Sequence, residues 1–267
     1  MKRIKNKYIK TTFIILVGLL LTTSCTQKQD KRITIAVAAN MQFAIKELSK
    51  KFTDRTGIKC DLIISSSGKL TAQIKEGAPF NIFISADMKY PTELFTTGFT
   101  TRDPKIYAYG KLVLWSMIDS LHPSINTLNS SNVYHIAIAN PKTAPYGSAA
   151  LTVLKKQDLY KSIKDKLVYG ESISQTNQFI VSKSAQIGFT AKSVVLSPKM
   201  KNKGNWIDID EDNYAAIAQG IVILNKHTTI QNGAEKFYNF MFSTEAKKIL
   251  TDFGYSINNL EGTLNPL

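Results

Sequence analysis

Three short apolar runs, at residues 33–39, 58–64 and 82–85, each end in small polar residues and each hand over to an amphipathic or helix-like segment. A chain that alternates strand and helix in this way has few folds open to it. Each helix must cross back over the sheet, so the strands run mostly parallel, and ligands sit beyond their carboxyl ends. Phe43, Ile45, Leu48 and Phe52 give the first helix its apolar face, and Gly57 marks its end. The apolar run 112–115 precedes a loop at 119–132 that contains Pro123, after which the cycle starts afresh. Residues 133–139 read as strand, 140–147 as loop, 148–156 as helix, 166–169 as strand, 170–175 as loop, 176–181 as helix and 185–190 as strand. The run 220–224 can return the chain to the first unit. Ala234, Phe237, Phe240 and Met241 then share one helical face, and a last helix opens at Ser243 with a hydroxyl cap and stops at Gly254. The expected architecture is α/β with two lobes, residues 33–114 plus 221–267 forming the first and 115–220 the second, joined by two crossing strands that act as a hinge.

The first 25 residues stand apart from this pattern. Lys2, Arg3, Lys5, Lys7 and Lys10 precede an apolar run at 13–21 and then Thr22, Thr23, Ser24 and Cys25. That is the form of an export signal, with an apolar run well short of the ~20 residues that span a bilayer. Small residues ending in cysteine resemble a bacterial lipoprotein signal, in which Cys25 would be lipidated and become the new N-terminus. Leu21 lies one place further from the cysteine than such signals usually have it. Residues 26–32 read as a polar tether. Cys60 is then the remaining cysteine, so no intrachain disulfide is expected and the core must hold by packing. The net charge of +14 falls to +9 without the five basic residues of the signal. The lysines are scattered among acidic residues rather than gathered in a stripe, which argues against nucleic acid as a partner. A mild positive excess suits a small anion.

Catalysis calls for a nucleophile with its base, or for a metal cluster, and neither is visible. His122, His135 and His227 lie far apart without ligand spacing, and no HExxH, CxxC or GxSxG occurs. Ser67-Gly68-Lys69 invites comparison with a nucleotide phosphate loop, but Ile63 and Leu70 stand where that motif needs glycine and a hydroxyl residue. Four strand exits in polar or small residues remain: Asn40, the run 65–68, the run 144–147, and the run 172–174. Taken singly, each is an ordinary helix cap. Two in each lobe, closing on one another, would surround a small anion with neutral N–H and O–H donors at helix N-termini.

The residues at these exits resemble the periplasmic molybdate-binding protein of bacterial ABC importers. The likeness runs from about Ile33 to Tyr255 and includes VAAN (37–40), SSGKL followed by AQI (66–74), GAPFNIFISAD (77–87), GKLVLWS (110–116), AIANPK and APYG (137–147), GESISQT (170–176) and GF (188–189). The resemblance implies a two-lobed type II solute-binding fold that traps molybdate or tungstate by hydrogen bonds alone, with no cofactor and no catalytic residue. It implies Asn40 and Ser67 as contacts from the first lobe, and Tyr146 and Ile173 as backbone N–H donors from the second. One branch of the family has a contacting tyrosine where Ala191 stands and serine where Asn40 stands; here the Tyr146 hydroxyl or the Asn40 amide is expected to supply the missing donor. The implied partners are an ABC permease and its ATPase. The implied location is the periplasm or cell envelope, as a monomer held to a membrane by its lipid alone. Sulfate, thiosulfate or phosphate binding is the alternative, followed by an enzyme acting on a small oxyanion.

Overall fold

The computed structural model of the protein describes residues 32–225 and 231–257, so Cys25, the signal and His227 lie outside the described residues. Strand β1 (Arg32–Ala38) pairs in parallel with β2 (Lys59–Ser65) on one side and with β3 (Ile82–Ile84) on the other. Beyond β3 lies β10 (Ile217–Ile223), antiparallel to it, and then β4 (Lys105–Gly110), antiparallel to β10. The second sheet repeats this plan. Its β6 (Ile136–Ala139) is flanked in parallel by β7 (Leu167–Gly170) and β8 (Ile187–Ala191), followed by β5 (Leu112–Ser116) and β9 (Asn205–Asp208), each antiparallel to its neighbour. Four strands of each sheet therefore point one way, and the reversed strand is the one that has just crossed from the other sheet.

Both faces of the first sheet are covered, and the two-residue period of its strands divides the core accordingly. Ile33, Ile35 and Val37 pack beneath α1 (Ala44–Thr56), α8 (Gln231–Phe240) and α9 (Thr244–Asp252), where Phe52 meets Phe237 edge-on with ring centres 5.0 Å apart. Ala36 faces the other way, joining Phe83, Leu70, Ile74 and Leu94 beneath α2 (Ser67–Lys75) and α3 (Lys89–Thr96). The second sheet carries α4 (Pro145–Lys156), α5 (Tyr160–Ile163), α6 (Ile173–Val181) and α7 (Lys192–Val195). Local caps lie where the residues place them. Gly57 and Gly254 end their helices with φ of 71° and 80°, and Ser243 Oγ accepts from Ala246 N at 3.2 Å.

The crossing points differ from the boundaries expected at 114/115 and 220/221. Leu112 already pairs with Ala191 in the second sheet, and Ile217 already pairs with Gly110 in the first. The chain leaves the first sheet at Gly110-Lys111, where only glycine fits: a Cβ built at Gly110 would lie 2.0 Å from the Tyr146 hydroxyl. The apolar strand that follows therefore belongs whole to the second lobe. Strands β4 and β9 have no counterpart among the expected elements, and α4 and α6 each begin three residues earlier than expected, absorbing Pro145 and Ile173 into their first turns.

Candidate functional site

The parallel strands bring their exits to one edge of each sheet. Ala38 pairs with Ser65, which sets the 3-10 turn Ala39–Met41 beside the start of α2. Ala139 pairs with Gly170, which sets the loop before α4 beside the start of α6. These two edges meet. Gly68 N donates to Thr143 O at 2.9 Å, the Tyr90 hydroxyl to Lys142 O at 3.2 Å, Ser174 Oγ to Gln42 Oε1 at 3.0 Å and Ser193 Oγ to Asn40 O at 2.8 Å. Lys69 and Glu171 pair across the same seam at 2.6 Å, both well exposed. The lobes are thus closed on each other, and the four residues singled out from the sequence lie inside: Asn40, Ser67 and Tyr146 are 1% exposed and Ile173 3%.

Each of the four sits where a strand becomes a helix. Ser67, Tyr146 and Ile173 occupy the first or second position of α2, α4 and α6, and the N–H groups there have no carbonyl four residues back within their own helix. Pro145 at the head of α4 fixes the backbone for the turn without removing a needed donor. Ser67 Oγ accepts from Ala86 N at 3.0 Å, which leaves the hydroxyl hydrogen for another acceptor. Ser66, one residue earlier, is the N-cap of α2, yet its Oγ is buried without a partner, as are Thr143 Oγ1 and Asn40 Oδ1. A buried polar atom left unmet costs about 1–3 kcal/mol, and these three belong to the strand exits that the seam brings together.

The Tyr146 side chain is buried and reaches toward β10. Its hydroxyl accepts from Gln219 Nε2 at 3.1 Å, while the Asn40 amide spends both of its hydrogens inside the protein, on Gln219 Oε1 at 2.9 Å and the Tyr255 hydroxyl at 3.1 Å. In this arrangement the Asn40 amide has no hydrogen left to offer in place of Ala191, which is fully buried at the end of β8, whereas the Tyr146 hydroxyl accepts from Gln219 and keeps its own hydrogen. Burial pushes the phenols of Tyr107, Tyr146 and Tyr255 above their ordinary range, so all three stay protonated at neutral pH. Among the described residues no Lys, Arg, Asp or Glu is fully buried. An anion enclosed at this seam would meet amide dipoles and hydroxyls rather than a counter-charge.

The sequence does not announce Gln219, Tyr255 and Ser193, which bond to Asn40, or Tyr107, which holds Gln219. One signal was available. Gln219 interrupts an otherwise apolar strand, and a glutamine in such a place must find partners for both ends of its amide.

The model of the family described as bacterial extracellular solute-binding protein matches residues 33–256. A molybdate-binding protein, ModA, of Rhodobacter capsulatus is 35% identical over 247 residues, covering 92% of this chain and 94% of that one. A putative ABC transporter substrate-binding lipoprotein, YvgL, of Bacillus subtilis is 27% identical over 92% of this chain and 95% of its own. The solved structure of the Azotobacter vinelandii periplasmic molybdate-binding protein superposes with a TM-score of 0.80 at 32% identity, covering 84% of this chain and 99% of that one. With a mixed five-stranded sheet in each lobe, two crossings between them and this coverage, the chain belongs to the bacterial extracellular solute-binding protein family and has its type II fold.

Proposed function

We propose that the protein captures molybdate or tungstate between its lobes outside the cytoplasm and passes it to an ABC permease driven by its ATPase. The observation that carries this reading is the meeting of four strand-exit junctions, two from each lobe, at a seam where no charged side chain is fully buried. A tetrahedral dianion held there is stabilised by charge-assisted hydrogen bonds from neutral donors, each stronger than one between two neutral groups. Ser67 contributes its hydroxyl and N–H, Tyr146 and Ile173 their first-turn N–H groups, and Asn40 its backbone or amide. Neutral donors also let the ion go: when the lobes part, water replaces the second-lobe donors and no ion pair holds the ligand back. Binding and release then need no reaction step, and we read the protein as a carrier rather than an enzyme.

Selectivity follows from size. Sulfate oxygens lie closer to their central atom than molybdate oxygens, so a donor ring that fits molybdate stretches several bonds to sulfate, at about 1–3 kcal/mol for each poorly made one. Molybdate and tungstate differ too little for such a ring to separate them. The names of the Rhodobacter and Azotobacter proteins support this choice of ligand, and that of the Bacillus lipoprotein supports the permease and a lipid at Cys25. The protein acts as a monomer tethered by that lipid. Titration calorimetry with molybdate, tungstate, sulfate and phosphate tests the reading. Tight binding of the first two and weak binding of the others is expected; equal affinity for all four, or none for molybdate, would sink it.

A further inference from the structure

Gln219 stands at the base of the seam, fully buried, at a bulge in the strand β10 that has just crossed between lobes. Its amide touches both sides. Oε1 accepts from Asn40 Nδ2 at 2.9 Å and from the Tyr107 hydroxyl at 2.6 Å, both in the first lobe, and Nε2 donates to the Tyr146 hydroxyl of the second at 3.1 Å. One side chain thus links a candidate ligand residue of each lobe.

The direction of this amide has a chemical consequence for Asn40. As it stands, Gln219 Oε1 draws Asn40 Nδ2 inward, and Oδ1 is the atom left without a partner. Oδ1 is an acceptor, the wrong group to meet an anion. Turning the Gln219 amide by half a turn reverses this. Nε2 then donates to the Tyr107 hydroxyl and to Asn40 Oδ1, the Tyr146 hydroxyl donates to Gln219 Oε1, and Asn40 Nδ2 moves to the unpartnered position. Hydroxyls donate or accept equally well, so every pairing of Gln219 is kept; one bond is given up at Tyr255, whose single hydrogen serves either Asn40 O, which Ser193 also holds, or Asn40 Oδ1. Tyr107 can direct its hydrogen to Ser85 O, 3.5 Å away, and Tyr255 already donates to Asn40 O at 3.2 Å.

We infer that Gln219 is the positioning residue for Asn40: its amide direction decides whether Asn40 meets the bound anion with an N–H or with a carbonyl oxygen, and its bond to Tyr146 ties that choice to lobe closure. This rests on the oxyanion reading above. An approaching anion favours the orientation with Nδ2 outward, and Gln219 holds it there only while Tyr146 is in reach, that is, with the lobes shut.

A double-mutant cycle read by molybdate calorimetry tests the inference. Gln219→Met keeps the bulk of the side chain and removes the amide. It is expected to weaken molybdate binding about tenfold or more in the otherwise unchanged protein, the size of one lost charge-assisted bond, and less than about twofold when Asn40 is already alanine. An equal loss in both backgrounds, or no loss in the first, would overturn the role of Gln219 while leaving the site intact. No molybdate binding by the unaltered protein would instead overturn the functional reading on which the inference rests. Should Gln219→Met fail to fold, Tyr107→Phe removes one partner of the Gln219 amide, the acceptor of Nε2 in the anion-bound orientation, at smaller cost; it should weaken molybdate binding, and that effect must likewise vanish in the Asn40→Ala background.

Discussion

Replacing Ser67 with alanine separates two roles that the structure gives one hydroxyl. Its Oγ accepts from the N–H of Ala86, which is 2% exposed, and losing that acceptor leaves a buried amide unmet. The cost to the ligand-free protein is about 1–2 kcal/mol, and at about 2–4 °C per kcal/mol for a domain of this size the melting temperature should fall by several degrees. The hydroxyl hydrogen is what an anion would use. A hydrogen bond to a charged group contributes about 1.5–3 kcal/mol, so molybdate should bind Ser67→Ala about 10- to 150-fold more weakly. The two effects are read independently, by melting without ligand and by calorimetry with it. At one ligand concentration well above both dissociation constants, the stabilisation conferred by molybdate should itself shrink by about 1.5–3 kcal/mol. A variant that melts several degrees lower yet binds molybdate within threefold of the original would show that Ser67 is a structural residue only, and the site would have to be redrawn without it.

Two further outcomes follow from the buried groups around the seam. A methyl group at position 110 would lie 2.0 Å from the Tyr146 hydroxyl and 2.3 Å from Gln219 Nε2, so Gly110→Ala should cost about 1–3 kcal/mol in urea unfolding. It should weaken molybdate binding as well, whereas Gly98→Ala, where open space surrounds the added carbon, should leave binding unchanged; equal binding by both would detach the crossing from the site. The second outcome concerns pH. Tyr107, Tyr146 and Tyr255 have folded-state pKa values raised by burial, so their contribution is fully present below the ordinary tyrosine value and is lost as pH rises toward the folded ones. Stability should change little on their account up to about pH 9 and then decline above about pH 10, by up to ~4 kcal/mol per pH unit if all three act together. Urea midpoints that stay level from pH 9 to 11.5 would mean the phenols ionise freely in the folded protein.

What could be read in advance was what neighbouring residues decide among themselves. Ser65 ends a strand, Ser67 and Gly68 open a helix, Gly57 and Gly254 close helices in left-handed turns, and Ser243 caps one, each by chemistry confined to a few residues. The strand-exit residues were legible for a related reason, since parallel strands put their exits on one edge whatever the loops do. The need for glycine at the crossing was not, because the space beside Gly110 is taken by Tyr146 and Gln219, 36 and 109 residues further along the chain. The same holds for the fate of the Asn40 amide. Its partners Gln219 and Tyr255 lie 179 and 215 residues away, and no local pattern announces that its hydrogens are already taken. The direction of the Tyr146 side chain was hidden for a similar reason: position in a helix says where the backbone N–H points, but the hydroxyl goes where a distant strand offers it a partner.

A crystal structure of the protein grown with molybdate tests the central claim most directly. One tetrahedral anion is expected enclosed at the seam, its oxygens about 2.7–3.2 Å from Ser67 Oγ and from the N–H groups of Tyr146 and Ile173, with Asn40 turned so that a donor faces it and with no lysine or arginine in contact. An anion held elsewhere, or one at the seam gripped by a basic side chain, would contradict it.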